Sequence, residues 1–126
     1  MCGLITQTTH VFMTMSRAKE YYFKEGCFIE EWHNSPDDPA MSVARVRVEV
    51  AQTTRLHSLN HTTERYIMLS GEARVTVGSR TTTVNEGDVI VIQPQEAQKI
   101  ENIGDQDLIF LAICTPRFEE KNYQEH

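Results

Sequence analysis

Between residues 57 and 71 the chain places an imidazole and a carboxylate on either side of a polar turn. The stretch runs His57-Ser58-Leu59-Asn60-His61-Thr62-Thr63-Glu64-Arg65-Tyr66-Ile67-Met68-Leu69-Ser70-Gly71. His57 ends one strand-like segment, Glu64 opens the next, and Gly71 closes it. Imidazole nitrogen and carboxylate oxygen so disposed can hold a metal ion. Each residue also has a plainer reading. His57 can be a partly buried histidine bonded to a neighbour. Glu64 can pair with an arginine such as Arg55, because a buried carboxylate needs a cation or donors. His61 follows His57 by four residues and shares its strand parity. If the turn starts late, His57, His61 and Glu64 form a set of two histidines and one carboxylate. If the turn starts early, His61 sits at its Asn- and Thr-rich tip and faces water.

The flanking segments are strands by pattern. Ala44, Val46, Val48 and Val50 alternate with Arg45, Arg47 and Glu49, the period of a half-buried strand. Arg55, His57 and Leu59 share one face. Glu64, Tyr66 and Met68 share another, with Arg65, Ile67 and Leu69 opposite, which predicts a strand buried on both sides. Ala73, Val75 and Val77 alternate up to the turn at Gly78-Ser79, and residues 81–84 return. Residues 89–92 form a short buried strand. Gln98, Ile100 and Asn102 share a face of the next, and residues 108–114 read as a central strand. Upstream, residues 19–23 and 27–32 are strands with Glu25-Gly26 turning between them. Many short strands with Gly and Pro turns and no long helix predict an all-β sandwich or small barrel. Its core is expected to include Ala44, Val46, Val48, Tyr66, Met68, Ile90, Ile92, Ile100, Phe110 and Ala112. Residues 1–18 read as an N-terminal arm, 19–115 as the β domain, and 116–126 as a polar tail with Phe118 and Tyr123 as anchors.

Composition narrows the function. A chain of 126 residues makes one domain with a single core. A net charge of −6 with dispersed basic residues argues against nucleic acid and anionic membrane as partners. No apolar run approaches the ~20 residues of a membrane helix, and the first residues lack the pattern of a signal peptide. Cys2, Cys27 and Cys114 are too few and scattered for a disulfide framework, so a reducing cytoplasm is expected. No phosphate loop, Ser-His-Asp order or paired-Cys zinc pattern occurs.

The spacing of His57, Glu64 and Gly71 resembles the first motif of the cupin superfamily, with Leu59 at the position of its second histidine. A second motif follows from Gly87 to Asn102. Gly87, Asp88 and Asn102 match it, Pro94 comes one place late, Gln95 stands at a turn glycine, and Gln98 stands at the metal-binding histidine. The resemblance covers residues 42–114 and implies a double-stranded β-helix, or jelly roll. It also implies that His57, Glu64 and Gln98 converge in one interior cavity as metal ligands, with His61 as a fourth candidate; Gln98, a neutral and weaker ligand, can instead hydrogen-bond to substrate or to Glu64. Tyr66, Asn102 and Arg55 are then candidate substrate contacts. Oxygen-rich ligands favour Mn or Fe over Zn or Ni. The implied function is a small metal-dependent cupin acting on a small polar or acidic metabolite, an isomerase, dioxygenase or decarboxylase in type. The alternatives are a metal-free cupin that binds a sugar or organic acid, and a structural barrel with a vestigial site. A homodimer is expected, paired by sheet packing and strand exchange.

Overall fold

The computed structural model describes residues 19–126. The expected N-terminal arm, and its pairing with a neighbouring subunit, lie outside the described residues. Eleven strands follow in order: β1 (Tyr21–Phe23), β2 (Cys27–His33), β3 (Ser42–Val48), β4 (His57–Leu59), β5 (Thr63–Ser70), β6 (Ala73–Val77), β7 (Arg80–Val84), β8 (Val89–Ile92), β9 (Gln98–Asn102), β10 (Leu108–Thr115) and β11 (Tyr123–Glu125). A 3₁₀ turn, Glu120–Asn122, precedes β11. The strands form a six-stranded sheet in the order β1-β2-β3-β10-β5-β8 and a five-stranded sheet in the order β11-β4-β9-β6-β7. Every pairing is antiparallel.

Alternation in the sequence becomes the inside of this sandwich. Val46, Val48, Tyr66, Met68, Phe110 and Ala112 from the larger sheet pack against Ala73, Val75, Val77, Val84 and Ile100 from the smaller one. Each large side chain removed from water in this way contributes about 1.5–3 kcal/mol. Ile90 packs on the cluster while partly buried, and Ala44 is half-buried at the cavity wall. Register fixes the alternation, since a slip of one residue would turn the whole apolar set outward. Gly71 serves the tight exit from β5. Its φ is +96°, and a Cβ there would come within 3.1 Å of the Leu108 Cα.

Some expectations need correction. β8 is not a buried strand, since Val89 is 58% and Val91 48% exposed on its outer face. β5 is buried on one side only: Glu64, Tyr66 and Met68 point inward, while Leu69 on the other face is exposed. No second layer covers the outer face of the six-stranded sheet among the described residues. The C-terminal segment is also more than a tail. Tyr123, Gln124 and Glu125 pair with Leu59, Ser58 and His57, which makes β11 an edge strand beside β4. Asn60 N–H donates to Asn122 C=O at 2.8 Å, and His126 N–H to Leu56 C=O at 3.0 Å. The expected anchors hold it: Tyr123 is buried, and Phe118 packs on Leu59, Cys114 and Tyr123.

Candidate functional site

Between the inner faces lies a cavity of about 60 Å³, lined by His57, Glu64, Tyr66, Leu59 and the anchors Phe118 and Tyr123, among others. His57 reaches it from β4. Its ring stacks on Tyr123, with centroids 5.2 Å apart and planes 18° apart. Nδ1 lies 2.6 Å from the Arg55 carbonyl oxygen, which can only accept, so Nδ1 carries a proton. The other nitrogen, Nε2, is 3.2 Å from the Glu25 carboxyl.

Glu25 is the residue that sequence reasoning missed. A glutamate in a Glu-Gly hairpin turn reads as solvated, and no local signal says otherwise. Here the β1–β2 turn folds onto the segment that leads into β4. Arg55 N–H donates to the Glu25 carbonyl at 2.6 Å. Gly26, with φ +100°, lies so close to this segment that an added Cβ would be 3.4 Å from the Thr53 oxygen. The side chain of Glu25 is thereby turned inward and is 8% exposed. Cys27 Sγ–H donates to its other oxygen at 3.2 Å.

Burial sets the protonation of this pair. Loss of water raises the Glu25 carboxyl to about 8, with the neighbouring Glu64 adding to the rise and the Cys27 bond opposing it. Burial pushes the His57 imidazole down from its ordinary value, against the pull of the Arg55 carbonyl. Both shifts favour the uncharged forms. The pair therefore shares one proton, carried by the Glu25 carboxyl and donated to Nε2.

Glu64 faces the cavity from β5 in different company. Gln98, 0% exposed on β9, donates from Nε2 to Glu64 Oε1 at 2.8 Å. The Gln98 amide oxygen accepts from the Tyr66 hydroxyl. Burial raises Glu64 to about 7, opposed by hydrogen bonds from Gln98 and the Cys114 thiol. The Tyr66 phenol is raised well above its ordinary range, chiefly by burial, and stays neutral.

The other candidates fall elsewhere. His61 sits exposed at the tip of the β4–β5 turn with φ +66°, so the set of two histidines and one carboxylate does not form. Arg55 is turned to solvent and pairs with Glu125 at 3.0 Å, so it neither neutralises Glu64 nor lines the cavity. Asn102 is buried, but its amide is committed to backbone groups: it donates to the carbonyls of Val48 and Gln106, each at 2.9 Å, and accepts from Gly104 N–H. Tyr66 lines the cavity, with its hydroxyl tied to Gln98.

The donor set does not fit the metal centre that the motif implies. Leu59 brings hydrocarbon where a second imidazole would stand. Both ends of the Gln98 amide are engaged, its oxygen by Tyr66 and its nitrogen by Glu64. His57 Nε2 is turned to the Glu25 carboxyl at 3.2 Å, and its Nδ1 to the Arg55 carbonyl. Among the described residues no three His, Cys, Asp or Glu side chains gather as a metal ion requires. His57 and Glu64 share the cavity as expected, while Gln98 and His61 do not join them as ligands.

Two facing antiparallel sheets, closed around a cavity framed by the two sequence motifs, define a jelly-roll barrel protein. The chain belongs to the cupin family: the cupin domain model matches residues 44–114. An uncharacterized protein of Methanocaldococcus jannaschii, MJ1618, is 32% identical over 108 residues, covering 84% of this chain and 86% of that one. Among solved structures, Pac13, a nucleoside dehydratase from Streptomyces, superposes with a TM-score of 0.74 at 17% identity, over 86% of this chain and 84% of that one. The oxalate decarboxylase of Lactobacillus farciminis, solved as a formate complex, gives 0.75 at 26% identity, over 86% of this chain and 33% of that one.

Proposed function

We propose that this chain is a cupin enzyme that acts on a small polar molecule by proton transfer, with Glu25 and His57 as its acid and base. One observation carries the reading: Nδ1 is pinned to the Arg55 carbonyl, so Nε2 faces the Glu25 carboxyl, both buried at the wall of one cavity. A base needs a lone pair aimed at the ligand, and an acid needs a proton near neutral pH. Glu25, raised to about 8, offers the second, and Nε2 offers the first once a ligand takes the place of the Glu25 hydrogen bond that it accepts in the free protein. Nε2 takes a proton from a C–H or O–H of the ligand, and Glu25 returns one to a departing or rearranging oxygen. The sum is an elimination or isomerisation, with no electron transferred to an outside acceptor. Glu64, fixed by Gln98, supplies a second polar contact. That the nucleoside dehydratase uses a barrel of this shape supports an elimination. The cavity argues against an acidic substrate, because carboxyl groups line it and no Lys or Arg does among the described residues.

The test is turnover by metal-free protein. Protein purified without a metal column and treated with a chelator is incubated with a pool of small metabolites. Loss of a compound with wild type, and not with Glu25→Gln or His57→Gln, supports the dyad. Turnover that persists in both variants contradicts it. Turnover that disappears with the chelator, with about one metal ion per chain in untreated protein, gives the site to a metal-dependent enzyme. Saturable binding without turnover makes the chain a binding module.

The chain is also proposed to pair as a homodimer through the outer face of the six-stranded sheet. Val89 is 58% exposed there, beside Val91 and Leu69, with half-buried Ile67 and Leu111 between them. An apolar face of this extent favours a partner. Light scattering at micromolar protein is expected to give twice the chain mass, and the monomer mass would contradict pairing. The reducing cytoplasm is its proposed location, supported by the free, buried Cys27 and Cys114. No helix among the described residues is long and apolar enough to cross a membrane.

A further inference from the structure

We infer that the cavity selects a small organic cation, a protonated amine, over neutral and anionic molecules of the same size. The inference rests on the cavity being the ligand site and names the class of ligand.

The walls carry two kinds of group. Six aromatic rings line the cavity: Tyr21, Phe23, Tyr66, Phe110, Phe118 and Tyr123. The charged or chargeable groups among the described lining residues are the carboxyls of Glu25, Glu31 and Glu64 and the imidazole of His57, with no Lys or Arg. Ring faces are negative and attract cations, and an aromatic cage closed by carboxylates is the chemistry that holds ammonium groups. The chain already shows this preference at the cavity edge. Lys24 Nζ lies 4.8 Å from the ring centroid of Tyr123 and 5.9 Å from that of Phe23, two rings that also line the cavity.

The alternatives are weaker on the same observations. An anion would lie against the carboxyls of Glu25, Glu31 and Glu64, with no Lys or Arg among the described lining residues to offset it. A neutral molecule would form hydrogen bonds but draw nothing from the charge that these carboxyls can carry. A cation against the rings and carboxyls favours their ionised forms and is attracted by them. A further group lacks a partner: the Tyr123 hydroxyl oxygen is buried without a hydrogen-bond partner among the described residues, on a side chain 8% exposed. It can accept from an N–H. Size sets the scale, because a cavity of about 60 Å³ is well below the roughly 150 Å³ that holds a benzene ring.

The probes are ethylammonium, ethanol and acetate, which share a two-carbon body and differ in charge. Each is titrated into the full chain at constant ionic strength, and binding is followed by the proton resonances of His57 and Tyr66. Ethylammonium is expected to saturate at millimolar concentration, about tenfold tighter than ethanol, with no saturable response to acetate. Glu64→Gln is expected to weaken ethylammonium about tenfold and leave ethanol unchanged. Ethanol or acetate binding as tightly as ethylammonium overturns the inference. So does an absence of saturable ethylammonium binding, or binding that Glu64→Gln does not move. If ethanol saturates and ethylammonium does not, while turnover still depends on Glu25, cation selection falls and the proton-transfer reading stands. If ethylammonium binds as expected and turnover ignores Glu25 and His57, the reverse holds.

Discussion

Glu25 and Glu64 are two buried carboxyls facing one cavity, each beside a cysteine thiol and each raised by burial. Their partners separate them. Glu64 takes a hydrogen bond from an amide that cannot titrate, and that amide is itself held by a phenol that stays neutral. Glu25 faces an imidazole whose far nitrogen is fixed by a backbone carbonyl. A proton at Glu64 has no second base to move to, whereas a proton at Glu25 has one 3.2 Å away. The same burial thus produces a fixed polar post on one side of the cavity and a proton-sharing pair on the other.

The sharpest way to break this comparison is to titrate stability in carboxamide variants. The Glu25 carboxyl is raised from 4.5 unfolded to about 8 folded, so the native state holds the extra proton between those values. Its stabilising contribution is complete below pH 4.5 and is lost as pH rises through about 8. Glu25→Gln is expected to flatten that fall, a change of up to about 5 kcal/mol at the alkaline end. Glu64→Gln should flatten a narrower window that ends near pH 7. His57 has the opposite sign. Its folded pKa is depressed below 6.5, so the native state binds fewer protons and stability is lost as pH falls below that value. His57→Gln is expected to remove this acid-side loss. Urea midpoints at a series of pH values check all three, and identical slopes in Glu25→Gln and wild type would count against the account.

Next in size is Gln98→Leu. It leaves the Tyr66 hydroxyl without its acceptor and Glu64 without its amide donor, both in the interior. A loss of about 3 kcal/mol is expected at neutral pH, read as a fall in the urea midpoint. A loss within ~0.5 kcal/mol would mean that the amide is not the post that holds Glu64.

The contrast between these carboxyls also shows what a sequence can carry. The strands were legible because side-chain period and face are local. The alternation from Ala44 to Val50 becomes β3, which ends two residues earlier at Val48 and leaves Val50 exposed, and the apolar run from Leu108 to Cys114 becomes β10 almost to the residue. His57, Glu64 and Tyr66 in one cavity were legible through motif spacing and parity. Glu25 was not, because its burial depends on a turn docking on Arg55 and Thr53, far along the chain. For Gln98 a hydrogen bond to Glu64 was legible beside the ligand reading, because a neutral amide is a weak ligand, and that bond forms; its tie to Tyr66, from another sheet, was not legible. Arg55 and Leu59 share His57's parity, yet Arg55 turns outward before β4 begins and pairs with the C-terminal strand.

The smallest expected effect is at His61. It is exposed with φ +66°, a conformation that glycine adopts without strain. His61→Gly is expected to match or exceed wild-type stability by a few tenths of a kcal/mol and to leave ligand binding unchanged. A weakened site in that variant would return His61 to the functional set.

The central claim is that His57 is neutral, with its proton on Nδ1 and its Nε2 lone pair turned to the Glu25 carboxyl. Nitrogen-15 NMR of the imidazole measures this directly, because protonated and lone-pair nitrogens resonate far apart. At pH 7 wild type is expected to show a protonated Nδ1 and an unprotonated Nε2, and Glu25→Gln to shift the Nε2 signal. A proton on Nε2, an imidazolium at that pH, or an Nε2 signal indifferent to Glu25→Gln would contradict the account.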